Sequence, residues 1–268
     1  MNTFKILCPA KINLWLYVTG KRSDGYHILD SGVVFADWGD ILEITLEQNF
    51  NFVVDGDFSS QVPVNETNSL VKALRLIERA IGNTLSWKLR LTKNIPVGAG
   101  LGGGSGDAAA LLRFAVGFFP KHQKEIEDRM LSLGADVPVC YYNRSARMLG
   151  IGEVLETIDV PFDQPALLFW PNFSLATASV YAAFRLGSKH ERNDLFPAAC
   201  SIRPELRTIL GALEALPNIV STSMSGSGSA FYAIFNTVEQ SDNAFNIMAN
   251  TFPRAWIKKV LLSPSPQS

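Results

Sequence analysis

Cysteine is scarce in this sequence: Cys8, Cys140 and Cys200 are the only three, far apart and odd in number. They draw no disulfide framework and no CxxC zinc pattern, so a reducing cytoplasm is the expected setting. A surplus of one charge sign is also missing. The formal net charge is −1, the pI is near 6.3, and no block of five or more like charges occurs. A nucleic-acid partner is therefore not expected. Long apolar runs are absent too: the longest, 108–119, is broken by Arg113 and is too short to span a bilayer, so no membrane association is expected. Near the start, Pro9, Lys11 and Asn13 interrupt the apolar stretch and no small-residue cleavage site follows, which reads as mature protein. What the chain does have is core material. Of its 268 residues 47% are hydrophobic, enough for one large domain or two modest ones.

Periodicity places the elements. Ile12, Leu14, Leu16 and Val18 alternate with Lys11, Asn13, Trp15 and Tyr17, so a strand with Lys11 and Asn13 on one face is expected. Similar alternation predicts half-buried strands from Leu42 to Glu47 and over 87–92. Leu70, Ala73, Leu74, Ile77 and Ile81 recur at helical spacing, with Asn68 as N-cap and Gly82 just past the end. A second helix is expected from Ala108 to Phe119, stopped by Pro120. Further on come strands at 166–170, 231–235 and 255–262, and helices near 179–186, 205–216 and 241–250. The loop-like composition of 158–164 sets the expected domain division, 1–158 and 159–268. A Ser/Pro tail over 263–268 is expected to fray.

The stretch Pro96, Val97, Gly98, Ala99, Gly100, Leu101, Gly102, Gly103, Gly104, Ser105 and Gly106 carries six glycines in nine positions just ahead of a helix. Without side chains, successive backbone N–H groups can wrap a polyphosphate while the helix N-terminus faces its negative charge. A phosphate cradle is the natural reading, and a flexible linker the bland one. Gly98, Gly100 and Gly103 also satisfy G-x-G-x-x-G, a weak match alone. The second buried strand and terminal acid of a dinucleotide fold do not follow; a charged segment of helical spacing, 121–133, comes instead. A P-loop needs lysine after its last glycine, where Ser105 follows Gly104.

The segment from Pro96 to Ala109 resembles the P-x-G-A-G-L-G-G-G-S-S-D-A-A loop of the GHMP kinases. Six further blocks follow that family's order. Pro9 to Leu14 resembles its P-A-K-I-N-L, and Arg22 to His27 the R-x-D-G-Y-H of the diphosphocytidyl-methylerythritol kinases within it. Gly134 to Pro138 is similar to G-A-D-V-P, Gly152-Glu153 to part of G-x-G-E, Asn193 to Leu195 to N-D-L/F, and Met224 to Gly228 to the second glycine motif. Gly106 departs from the pattern where a second serine is usual, and Phe196 where an acid is common.

The resemblance implies an α+β protein of the two-domain GHMP kinase fold, with an N-terminal domain like the second domain of ribosomal protein S5, a ferredoxin-like C-terminal domain, and the site between them. It implies ATP as phosphoryl donor, Mg²⁺ as cofactor and a small-molecule partner carrying a cytidine diphosphate, phosphorylated at its 2-hydroxyl; a monomer or weak homodimer is expected. Asp136 would be the base that accepts the hydroxyl proton, with Lys11 beside it to stabilise developing charge. Turn geometry alone leaves Asp136 bonding its own turn as the alternative, and Lys11 a solvated strand lysine. Val137 before Pro138 is expected to be extended, aiming Asp136 from a sharp turn. Pro96 to Gly106 would hold ATP. Ser105 could ligate the metal, bind a phosphate or simply cap the helix. Asn13, Tyr26, His27 and Tyr181 would hold the substrate, the cytosine sandwiched by the two tyrosines with His27 at its edge. Gly226, Ser227 and Gly228 would either let backbone approach the substrate or form a tight structural turn, and Asn68 and Ser69 would neighbour the adenine. The rival readings are another GHMP alcohol kinase (mevalonate, homoserine or galactose), an NAD-binding oxidoreductase, and a nucleotide-binding protein without turnover.

Overall fold

The computed structural model describes residues 2–46, 49–161 and 163–263; Glu47 of the second strand pattern and residues 264–268 of the tail lie outside them. The chain opens with two long antiparallel strands, β1 (Thr3–Lys21) and β2 (His27–Leu46), paired from Thr3↔Thr45 to Lys21↔His27. β3 (Asn51–Asp55) runs parallel to β4 (Trp87–Thr92), which pairs with β2. β5 (Ala146–Gly150) adds to the other end of β2, and β6 (Val154–Thr157) to β5.

The second half is built from β7 (Gln164–Trp170), β8 (Ser221–Met224), β9 (Phe231–Ile234) and β10 (Trp256–Ser263), whose order in space is β10-β7-β9-β8 with antiparallel pairings. Helices α5 (Thr177–Ala183), α6 (Phe196–Ile202) and α7 (Glu205–Glu214) lead from β7 to β8, and α8 (Val238–Thr251) from β9 to β10. That is the split βαβ arrangement of a ferredoxin-like unit. β10 also pairs with β2 through Leu262↔Ala36 and Ser263↔Phe35, so one sheet runs through both halves. The expected division at 158/159 falls between β6 and β7.

The helices of the first half are α1 (Ser69–Ile81), α2 (Gly103–Phe118), α3 (Gln123–Met130) and α4 (Val137–Tyr142). α1 has the caps its sequence predicts: Asn68 Oδ1 accepts from Leu70 N at 2.7 Å, and Gly82 follows at φ 68°. Its apolar stripe buries Leu70, Leu74 and Ile77 completely, each worth about 1.5–3 kcal/mol of transfer free energy. Two cores lie on opposite faces of the sheet, and the alternation of β7 separates them: Leu167 and Phe169 join one, Ala166, Leu168 and Trp170 the other. No described helix is long and apolar enough to cross a membrane.

Three expectations need correction here. The face shared by Ile12, Leu14, Leu16 and Val18 is not continuous, because a β-bulge between Asn13 and Trp15, like the one between Pro9 and Lys11, switches which side of the sheet the alternating side chains take. Cys8, Leu16 and Val18 therefore pack in one core, while Ala10 and Ile12 pack in the other. Val137 is not extended. It is the first residue of α4, and Pro138 is tolerated at the second because first-turn N–H groups have no intrahelical acceptor. α2 begins inside the glycine run, so Ser105 is its third residue and not its cap; Gly102, at φ 69°, holds that place.

Candidate active site

The glycine loop crosses from β4 to α2 with Gly98, Gly100 and Gly102 at φ 70°, 81° and 69°, a conformation that disfavours any side chain. At Gly100 a Cβ would lie 2.5 Å from Ser225 O and 2.9 Å from Gly228 O, so the loop backbone is pressed against the second glycine motif. Ala230 N donates to Ala99 O at 2.9 Å and Ser225 Oγ to Gly100 O at 3.0 Å. The motif from Met224 to Gly228 is thus the tight structural turn, clamping the loop from the C-terminal half. Asn193 holds that turn in place, its Nδ2 donating to Met224 O and Gly226 O, both at 2.8 Å.

Beside the loop is a cavity of about 370 Å³, lined by Pro96 through Ser105 together with Asn68, Ser69, Lys93, Asp107, Asp136 and Thr177. The N-termini of α1 and α2 both open on it, which suits a bound anion. Gly106, expected in the cradle, is not part of it. It is buried in α2 facing β1, where a Cβ would stand 3.5 Å from Pro9 O, so the serine usual there is lost away from the phosphate side.

A second cavity, about 650 Å³, is lined by Lys21, Tyr26, His27, Ala135, Thr177 and Tyr181 among others. The two cavities meet at Thr177, whose hydroxyl contacts Ser227 Oγ at 2.9 Å, and at the turn where Asp136 lines the first and Ala135 the second. The turn carrying Asp136 is packed from behind by Gly152, where a Cβ would come within 2.3 Å of Ala135 O. That accounts for glycine in the G-x-G-E element.

Asp136 makes no capping bond to its own helix. Its Oδ2 pairs instead with Lys11 Nζ at 2.9 Å, the lysine side chain 3% exposed and the carboxylate 31%. Lys11 lines neither cavity; it packs directly behind Gly102, its N donates to Leu101 O at 2.9 Å, and its ammonium reaches the site through Asp136. Asn13 stands one step further back. Its Oδ1 accepts from Lys11 Nζ at 2.7 Å and its Nδ2 donates to Ser31 Oγ at 2.7 Å, which leaves it buried and spoken for. The expectation that Asn13 touches substrate gives way to one of orienting Lys11. The bulges flanking both residues are what turn them off the sheet's regular alternation at this point.

In the second cavity, the turn from Arg22 to Tyr26 is closed by Arg22 N donating to Tyr26 O at 2.8 Å and by an Arg22–Asp24 ion pair at 2.9 Å, and it presents Tyr26 61% exposed. His27 stacks on Tyr181, with ring centroids 4.9 Å apart and planes at 27°. The sandwich expected between Tyr26 and Tyr181 is therefore not preformed, because His27 already covers one face of Tyr181. Burial, and then the nearby Lys21 cation, hold the His27 pKa below its ordinary value. Burial, and then the Asp136 charge, raise that of the Tyr181 hydroxyl.

Sequence reading passed over Lys93, Asp40 and Thr177. Lys93 and Asp40 are a strand-end lysine and a buried aspartate that no spacing rule brings together, and Thr177 carries no local signal at all. Lys93 Nζ bonds to Asp40 Oδ2 and, at 2.9 Å, to Asp107 Oδ2. Burial disfavours the Lys93 ammonium, but Asp107 and Asp40 outweigh it and keep its pKa above that of ordinary lysine. Burial pushes the Asp107 carboxyl up against the pull of Lys93, and its Oδ1 has no hydrogen-bond partner.

The profile of the GHMP kinases N terminal domain matches residues 68–144, and that of the GHMP kinases C terminal domain residues 181–254. A relative from Paramagnetospirillum magneticum described as 4-diphosphocytidyl-2-C-methyl-D-erythritol kinase is 39% identical, covering 96% of this chain and 98% of its own. Another of that description, from Roseobacter denitrificans, is 33% identical over 96% of this chain and 93% of its own. Among solved structures, a 4-(cytidine 5'-diphospho)-2C-methyl-D-erythritol kinase superposes with a TM-score of 0.82 at 30% identity, covering 97% of this chain and 99% of that one. A homoserine kinase from Cytophaga hutchinsonii shares the fold with a TM-score of 0.76 at 15% identity, covering 99% and 96%. With two glycine motifs locked together, one of them lining the cavity, near-complete alignment to these relatives and both domain profiles matched in order, the chain is a kinase that belongs to the GHMP kinases, in the family of the 4-diphosphocytidyl-2-C-methyl-D-erythritol kinases.

Proposed function

We propose that this chain transfers the γ-phosphate of ATP to the 2-hydroxyl of 4-diphosphocytidyl-2-C-methyl-D-erythritol, with Asp136 as base and Lys11 as its electrostatic partner. The observation that carries the reading is the Lys11–Asp136 pair at 2.9 Å, held where a phosphate-binding cavity meets a second, aromatic-lined one. Phosphoryl transfer asks a protein for positioning and charge neutralisation more than for covalent chemistry. The glycine loop's N–H groups and two helix N-termini supply the first cavity with donors for triphosphate. Asp136, at the turn between the cavities, would accept the proton of an alcohol arriving from the second. Lys11, fixed by Asn13, keeps a positive charge behind that carboxylate as charge develops on the reacting oxygens. Tyr26 and the His27–Tyr181 stack give the second cavity flat faces and polar edges for a pyrimidine.

Mg²⁺ would accompany the triphosphate. It takes oxygen ligands, often one or two from protein and the rest from phosphate and water. The first cavity offers the Ser105 hydroxyl and the Asp136 carboxylate, and among the described residues no group of three or more His, Cys, Asp or Glu forms a metal cluster by itself. This donor set suits a metal that arrives with its nucleotide, and the metal would neutralise phosphate charge there.

The test is ADP release from Mg·ATP with 4-diphosphocytidyl-methylerythritol, run beside mevalonate, homoserine and galactose, with phosphorus NMR of the product. Selective turnover of the cytidyl compound is the expected result. Turnover of another alcohol instead would discard the second cavity's assignment and keep the first, whereas no turnover on any alcohol would favour nucleotide binding without catalysis.

A further inference from the structure

The Lys93 ammonium does not sit where a P-loop lysine would follow the last glycine; it lies beneath the first turn of α2, between two aspartates from different elements. Asp40 comes from β2, and its other oxygen, Oδ1, accepts from Asn94 N at 2.6 Å and Ile95 N at 2.8 Å, fixing the segment that enters the glycine loop. Asp107 lies four residues after Gly103 and so on the same face of α2. At Gly103 itself a Cβ would come 2.7 Å from Lys93 Nζ and 3.3 Å from Asp40 Oδ2, so the ammonium is in contact with the helix's opening residue. The backbone of Lys93 is equally constrained: its N donates to Asp55 O at 2.7 Å and its O accepts from Phe58 N at 3.2 Å. Lys93 and Asp107 both border the phosphate cavity.

A buried ion cluster is a poor device for stability alone, because well-packed apolar side chains do as well without the desolvation cost. Asp107 makes that cost worse, since its Oδ1 is buried without a partner. What such a cluster can do is fix geometry. From this arrangement we infer that Lys93 is a positioning residue for the nucleotide phosphates, gripping the first turn of α2 through Asp107 and the loop's entry through Asp40. The inference rests on the reading of this cavity as the ATP site.

The test uses the full chain and isothermal titration with Mg·AMP-PNP, with adenosine as the phosphate-free control. Asp107→Asn keeps an oxygen for Lys93 to hold, and its affinity for Mg·AMP-PNP should stay within about threefold of the unaltered chain. Asp107→Leu releases the grip while removing a buried negative charge. It should bind Mg·AMP-PNP about tenfold or more weakly, with adenosine affinity unchanged, while the melting temperature falls because the buried Lys93 ammonium loses one of its two partners. A purely structural cluster predicts the lower melting temperature with unchanged affinity per folded molecule. A purely electrostatic one predicts tighter binding. Either result, or equal affinity in Asp107→Leu, overturns the inference. Should Asp107→Leu not fold, Lys93→Arg decides: it conserves charge, but its planar fork does not fit so close to Gly103, so a loss of about tenfold or more on Mg·AMP-PNP alone is expected and unaltered affinity contradicts it. No binding of Mg·AMP-PNP by the unaltered chain would instead overturn the nucleotide reading, and the inference with it.

Discussion

Replacing Lys11 by methionine keeps the stem that packs behind Gly102 and removes only the ammonium. Two acceptors lose their donor: Asn13 Oδ1 at 2.7 Å and Asp136 Oδ2 at 2.9 Å. Asn13 is buried, so its orphaned oxygen costs about 1–3 kcal/mol, while Asp136, with 31% of its side chain exposed, can take water instead. For a chain of this size that corresponds to a fall in melting temperature of about 2–12 °C. The kinetic effect comes from charge. An ammonium one carboxylate removed from the reacting oxygens, about 6 Å away, interacts with a full charge there by about 3 kcal/mol at an effective dielectric constant near 20. Losing it lowers kcat by about a hundredfold. The KM values for ATP and the alcohol should change little, because Lys11 lines neither cavity. Steady-state kinetics normalised to folded protein, with melting curves beside them, separate the two effects. A lower melting temperature with kcat within threefold of the unaltered chain would show Lys11 to be structural and refute the electrostatic role.

Gly100→Ala should lower both melting temperature and ATP affinity, the latter by at least about tenfold: φ 81° alone costs of order 1–3 kcal/mol, and the added Cβ would meet Ser225 O at 2.5 Å. Unchanged nucleotide titration would show that the two glycine motifs are not locked together. Gly106→Ala should do the opposite, raising stability to urea by about 0.5–1 kcal/mol with activity unaltered, since its Cβ makes ordinary contacts in a helix and faces away from the cavity. His27 should titrate below the ordinary histidine value of about 6.5 when followed by proton NMR. With its pKa lowered by burial and Lys21, the unfolded chain binds the proton more readily than the folded one, so this group's contribution to stability is present above the unfolded pKa and is lost as pH falls through the folded pKa. An upward-shifted titration would contradict the packing seen around that ring.

Local signals foretold some of this structure well. Asn68 and Gly82 bound α1 because a side-chain cap and a left-handed glycine are decided within a few residues. The glycine run was legible for the same reason, as backbone that must come close to something. Features set by long-range contacts were not. Nothing in the alternation of Ile12 to Val18 reveals the bulges, since both depend on how β1 pairs with β2. β8 (Ser-Thr-Ser-Met) has no apolar run to mark it, unlike the equally short β9, and it exists because β9 pairs with it. Asp136 was legible only through family resemblance; its partner Lys11 is 125 residues away in sequence, and its helix begins at a Val-Pro step that local rules read as extended. Asn13 was assigned to the substrate only through the resemblance, and the hydrogen bond that turns it toward Lys11 is a tertiary fact.

The account stands most directly on Asp136→Asn, which removes the base and almost no volume. Single-turnover phosphoryl transfer from Mg·ATP to 4-diphosphocytidyl-methylerythritol should slow by about a thousandfold or more, with ATP affinity within about threefold of the unaltered chain. Transfer at an undiminished rate by the folded variant would contradict the assignment of Asp136 as base, and with it the chemistry proposed for the junction of the two cavities.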